Sequence, residues 1–127
     1  MTVLLDTQMA ILVVSSPTQL TAREREILIE NSAFAVSIAS LWEIAIKNSL
    51  GLRRDRFPFS ISEALDRFKN AGFEILAIAD YHLREVESLP HLHRDPFDRM
   101  LVAQSKCEGW PLLTRDRLVL QYSTQFR

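Results

Sequence analysis

Short, wholly apolar runs alternate along this chain with longer segments whose apolar residues recur every three or four positions. The first kind reads as strands buried on both faces, the second as amphipathic helices. Thr2-Val3-Leu4-Leu5 is the first apolar run, and Met9 to Val14 follows as an apolar helix or turn ending near Ser15-Ser16-Pro17. A charged helix over Ala22 to Asn31 comes next, with Thr21 as N-cap and Glu24 three residues on. Phe34 to Ser37 is a second strand, and Ser40 to Leu50 a helix that stops at Gly51. Beyond the polar loop Arg53 to Pro58, Ser60 and Glu63 repeat the capping-box pattern. Ile61, Ala64, Leu65 and Phe68 then keep helical spacing before Gly72.

The second half continues the alternation. Phe73 to Ile78 reads as a third strand, and Asp80 can cap a helix running to about Leu89. Pro90 breaks the chain and His91 to Arg94 form a loop. Asp95 at the N-cap and Pro96 at the first helical position then open a helix through Glu108, with Gly109 after its end. Pro111 to Thr114 is the last strand, and a closing helix starts at Arg117 toward Tyr122. Strands alternating with helices predict an α/β fold: a central parallel sheet flanked by helices. Residues 1–127 form one domain, without repeat or linker.

Composition narrows the function classes. A chain of 127 residues, 47% hydrophobic and 24% charged, can bury one core without staples. The single Cys107, placed in the core of its helix, excludes an internal disulfide and a Cys-rich zinc site, and fits a reduced, cytoplasmic setting. No run approaches the roughly 20 apolar residues of a membrane span, and the N-terminus lacks a signal peptide's charged region, so no membrane role is expected. Fifteen basic and 16 acidic residues balance to −1, so any nucleic-acid binding must come from a local patch. Neither a Walker motif nor a dinucleotide fingerprint occurs, and Ser15-Ser16 lacks the glycines of a nucleophile elbow.

What remains is acid. Asp6 closes the first strand and Asp116 follows the last, at the strand ends where open α/β sheets place their sites. Each has a plainer reading as the N-cap of the next helix, Asp6 on the N–H of Gln8 or Met9. Glu43 sits among Leu41, Trp42, Ile44, Ala45 and Ile46, where it should be buried. A Ser40–Glu43 capping box or a Glu43–Lys47 pair would also account for it. Asp95 and Asp98 compete for one role, and Asp98 is preferred as site residue, with Asp95 as cap and support. Carboxylates gathered in one place repel one another unless a hard divalent cation neutralises them. An oxygen donor set favours Mg2+ or Mn2+ over zinc. His91 and His93 could bind metal, though a loop pair is more often solvated.

Taken in order, these residues resemble a PIN-domain nuclease, specifically a VapC-like toxin of a type II toxin–antitoxin pair. The resemblance rests on Leu4-Leu5-Asp6-Thr7, on Val36 through Lys47 with Ser40-Leu41-Trp42-Glu43 at its centre, and on Leu89-Pro90-His91. His93-Arg94-Asp95-Pro96-Phe97-Asp98-Arg99 running on to Gln104, and Leu112-Leu113-Thr114-Arg115-Asp116, complete it. Gln8 stands where this branch often has His, and the tryptophan common soon afterwards is absent.

The resemblance implies a Mg2+- or Mn2+-dependent endoribonuclease leaving 5′-phosphate and 3′-hydroxyl ends. Its acidic positions fall on Asp6, Glu43, Asp98 and Asp116, with Asp95 additional and Thr114 at the hydroxyl position near the metal. It also implies a homodimer held inactive by a cognate antitoxin. As an expectation, Asp6 with Asp98 or Asp116 holds the ion and Glu43 contributes directly or through water. Arg94, Arg99 and Arg115, with Arg53, Arg54 and Arg56, are the candidate RNA contacts, though arginines beside carboxylates often form ion pairs instead. A catalytically weak binding module, or a phosphatase or DNase on the same carboxylates, are the competing functions.

Overall fold

The computed structural model describes residues 1–51 and 56–122; Arg53 and Arg54 lie outside that range. Four strands, β1 (Thr2–Leu5), β2 (Ala33–Ser37), β3 (Glu74–Leu76) and β4 (Leu112–Leu113), form one sheet in the order β3-β2-β1-β4. All pairings are parallel, with Leu4 opposite Ala35 and Leu112, and Leu5 opposite Val36 and Leu113. Successive side chains of β1 enter different cores. Val3 and Leu5 pack with Met9, Ile27, Val36, Ile44 and Phe68, while Leu4 packs with Ala35, Leu101, Val102 and Leu112. Both faces are therefore covered, which is why these strands carry no polar residue until their ends.

Among the described residues seven α-helices supply that cover: α1 (Thr7–Ser15), α2 (Ala22–Glu30), α3 (Ile38–Ser49), α4 (Ile61–Asn70), α5 (Asp80–Ser88), α6 (Pro96–Glu108) and α7 (Arg117–Leu120). The capping boxes at Thr21/Glu24 and Ser60/Glu63 form as the sequence predicts. Gly109 ends α6 in the left-handed conformation, φ 72°, which costs a residue with a Cβ about 1–2 kcal/mol.

Several expectations need correction. Helix α3 begins at Ile38, capped by Ser37, so Ser40 and Glu43 lie inside the helix and form no capping box. Helix α5 is entered through Ala79, whose N–H donates to the His82 ring, leaving Asp80 in the first turn to pair with Arg84. Strands β3 and β4 are shorter than their apolar runs, since each pairs with a single neighbour at the sheet edge. Cys107 is exposed on α6, because the apolar face of that helix turns Leu101, Val102 and Ala103 inward instead.

The chain builds β1, β2 and β3 in one direction across the sheet, then returns to place β4 on the other side of β1. Helices leave neighbouring strands toward opposite faces at such a reversal, opening a crevice at the carboxyl ends of the two strands. Asp6 follows β1 and Thr114 follows β4, so the topology itself puts them at that crevice.

Candidate active site

Asp6, Glu43, Asp95, Asp98 and Asp116 line one cleft of about 230 Å³, together with Thr7, Gln8, Met9, Lys47 and Arg115. The five acids that the sequence singles out are thus brought together, from residues up to 110 positions apart in the chain. Each arrives by a different element.

Asp6 is 7% exposed. Its Oδ1 accepts the Met9 N–H at 2.8 Å, capping α1, and its Oδ2 accepts the Thr114 hydroxyl at 2.5 Å. Burial raises its pKa from 3.8 to about 6 despite those two donors, and the nearby Glu43 and Asp116 add to the rise. Thr114 Oγ1 also accepts the Asp116 N–H at 3.0 Å, so one hydroxyl couples the ends of β1 and β4.

Glu43 is buried on the inner face of α3. The Thr7 hydroxyl donates to its Oε1 at 2.7 Å and Lys47 donates to its Oε2 at 2.7 Å. The i,i+4 pair therefore exists, and it lies in the cleft wall rather than on an open surface. Ser40 Oγ stands 2.8 Å from Thr7 Oγ1, tying α1 to α3 beneath the acid.

Asp95 and Asp98 both line the cleft but are held differently. Asp95 Oδ1 caps α6 through the N–H groups of Phe97 (2.8 Å) and Asp98 (3.3 Å). Asp98 turns its carboxylate into the cleft, where burial raises its pKa to about 7. Repulsion from Asp95 adds to the rise and nearby His93 opposes it. Asp116 caps α7 with Oδ1, on Leu118 and Val119, and presents Oδ2 to the cleft. Burial alone would raise its pKa, but hydrogen bonds from His93 and the two backbone N–H groups bring it below the ordinary value.

His93 is not the solvated loop residue that its position favours. Its Nε2 lies 3.0 Å from Asp98 Oδ2 and 3.1 Å from Asp116 Oδ2, and its side chain is only 11% exposed. The available signal was its position two residues before the Asp95 cap. A loop histidine there is turned back over the helix entrance instead of outward.

The arginines behave differently from one another. Arg99 is buried and donates to the carbonyls of Val86, Leu89 and Pro90 and to the Tyr122 hydroxyl, so it braces a loop and offers RNA nothing. Arg115 does line the cleft, gripped in two-pronged fashion by Glu24 at 2.8 and 2.6 Å. Those bonds hold the Glu24 carboxyl below its ordinary value. Arg94 is exposed and borders a separate hollow with His91 and Pro96. Arg56 is exposed in the groove of Phe57 and Phe59, away from the acids.

Divalent-ion binding fits this donor set. Asp6, buried, and Asp98, half-buried, stand among like charges with pKa values of about 6 and about 7, the condition that a hard cation relieves. Asp6, Asp98 and Asp116 all line the cleft, and Oδ2 of Asp6 and of Asp116 each accept one hydrogen bond, which leaves a carboxylate oxygen a further lone pair for an ion.

Comparison with known proteins identifies the fold and the family. The chain's fold is similar to one in the crystal structure of VapBC2 from Rickettsia felis bound to a DNA fragment from their promoter. The TM-score is 0.63 at 14% identity, over 91% of this chain and 88% of that one. It is also similar to a chain of a toxin–antitoxin complex from Klebsiella pneumoniae, with TM-score 0.57 and 17% identity over 90% and 86%. No curated protein sequence matches. The family model described as "PIN domain" matches residues 3–123, and the chain belongs to the PIN-domain family.

Proposed function

We propose that this PIN domain is a metal-dependent endoribonuclease and the toxin of a type II toxin–antitoxin pair, acting in the cytoplasm. The observation that carries the reading is the convergence of Asp6, Glu43, Asp98 and Asp116 on one cleft at the strand-order reversal. Asp6, Asp98 and Asp116 would hold the ion, Mg2+ or Mn2+. Bound there, it would supply charge neutralisation and Lewis-acid polarisation of a phosphodiester. The protein's own contribution is placement. Thr114 fixes Asp6, Thr7 and Lys47 fix Glu43, and the helix caps fix Asp95 and Asp116.

The likeness to chains of toxin–antitoxin complexes supports a cognate antitoxin as partner, and a homodimer is the proposed assembly. Among the described residues no helix is long and apolar enough to cross a membrane. Lys47 and Arg115 are the cations in the cleft wall, and Arg115 is the arginine placed to meet a phosphate. A panel of RNA, single-stranded DNA and a phosphate monoester, each with Mn2+ and with EDTA, tests the reading. RNA alone should be cut, with all cutting lost in EDTA and in Asp98→Asn. Cleavage of the monoester or of DNA instead of RNA refutes the assignment.

A further inference from the structure

His93, Asp98 and Asp116 each bring one potential ligand atom within 4.8 Å of the others. By distance alone they make a nitrogen–oxygen–oxygen metal site. The hydrogen bonds argue otherwise. The Asp95 N–H donates to His93 Nδ1 at 3.1 Å, so Nδ1 carries a lone pair and the ring proton sits on Nε2. That Nε2–H donates to Asp116 Oδ2 at 3.1 Å, and Asp98 Oδ2 lies 3.0 Å from the same nitrogen. A histidine that ligates a metal has the opposite polarity: its far nitrogen donates to an acceptor while the near one offers its lone pair. An ion on Nε2 here would need either an imidazolate or the loss of the Asp95 bond.

We propose that His93 is a positioning residue, which holds Asp98 and Asp116 together as a ligand pair by donating its N–H to Asp116 while standing against Asp98, and is not itself a ligand. The loop that carries it is built to keep the ring in place. The Tyr122 hydroxyl accepts the N–H groups of Leu92 (3.0 Å) and His93 (3.1 Å) and donates to the Pro90 carbonyl at 2.7 Å. Arg99 donates to that same carbonyl and to the Tyr122 oxygen. The buried arginine of the His-Arg-Asp-Pro-Phe-Asp-Arg stretch thus braces the histidine that opens it. The assignment rests on the metal-binding part of the proposed function and not on the identity of the substrate.

Three readouts test it. In the metal-free protein, 15N NMR of the His93 ring should show the Nε2–H form; an Nδ1–H form overturns the proposal. In the Mn2+-loaded protein, pulsed EPR should show no coupling to an imidazole nitrogen, and such a coupling overturns it. Mn2+ affinity should fall about tenfold in His93→Leu and recover in His93→Gln, whose amide keeps an N–H donor, as expected for a group behind the ligands. Unchanged affinity in His93→Leu, or equal loss in both variants, removes the positioning role. If the wild type binds Mn2+ with these signatures but cuts no RNA, the nuclease reading falls and the role of His93 stands. If it binds no Mn2+ at all, both fall.

Discussion

Replacing Asp6 with asparagine should make the metal-free protein more stable while destroying its site. Moving Asp6 from 3.8 to about 6 means that keeping it ionised in the fold costs about 3 kcal/mol at neutral pH. Between those two values the native chain holds a proton that the unfolded chain has lost. Stability from this group therefore falls as pH rises through that window and is flat above it. Asparagine carries no such cost and caps a helix as well as aspartate does, so the Met9 N–H keeps its acceptor. What is lost is the Thr114 hydroxyl bond to Oδ2, about 1 kcal/mol. In EDTA at pH 7.5, Asp6→Asn should gain about 2 kcal/mol over wild type in urea denaturation, shrinking to nothing near pH 4.5. Mn2+ at about a hundred times its dissociation constant should add about 2.7 kcal/mol to wild type alone and reverse the order. A variant less stable than wild type in EDTA at pH 7.5, or a gap that ignores pH, would refute the reasoning.

The other expectations concern the braces and the protons. Thr114→Val removes the donor to Asp6 and the acceptor of the Asp116 N–H, and calorimetry should record an approximately tenfold weaker Mn2+ affinity. Arg99→Met leaves the Val86, Leu89 and Pro90 carbonyls without that donor and should lower stability by about 3 kcal/mol in urea melts. Because Asp6 and Asp98 hold protons up to about 6 and about 7 and must release them to bind a cation, Mn2+ affinity should climb from pH 5 to pH 8. Buffers of different ionisation enthalpy should register proton release on binding, and an affinity independent of pH would contradict the assignment.

What the sequence shows well is whatever its neighbours in the chain decide. The alternation of apolar runs with helical periods is local, and so are the capping boxes at Thr21 and Ser60 and the proline–glycine bounds of α6. The strand ends carrying Asp6 and Asp116 are local too, which is why those acids stand out in the sequence alone. Pairings across the chain are not visible in this way. Glu24 reads as half of a capping box, and it is that, but its carboxylate also grips Arg115, 91 positions away. Arg99 beside two acids reads as a surface cation, yet its partners are carbonyls of the α5–α6 connection. Ser40 and Ser37 are equally good caps for α3 in the sequence, and only the end of β2 chooses Ser37.

The sequence also poses a choice that the geometry dissolves. For Asp6 and Asp116, capping a helix and serving a site look like rival explanations of one side chain. A carboxylate has two oxygens, and in both residues Oδ1 takes the backbone N–H groups of the following helix while Oδ2 faces the cleft. Capping is what makes the second oxygen useful. It fixes the rotation of the group, so an ion meets an arranged set of donors and need not order them itself. It also supplies N–H dipoles that offset part of the repulsion among gathered charges. A helix starting directly after a strand, with aspartate at the junction, thus performs both tasks with one residue. Asp6 stands at such a junction after β1, and Asp116 follows the neighbouring β4 after only Thr114 and Arg115, so both acids reach one cleft.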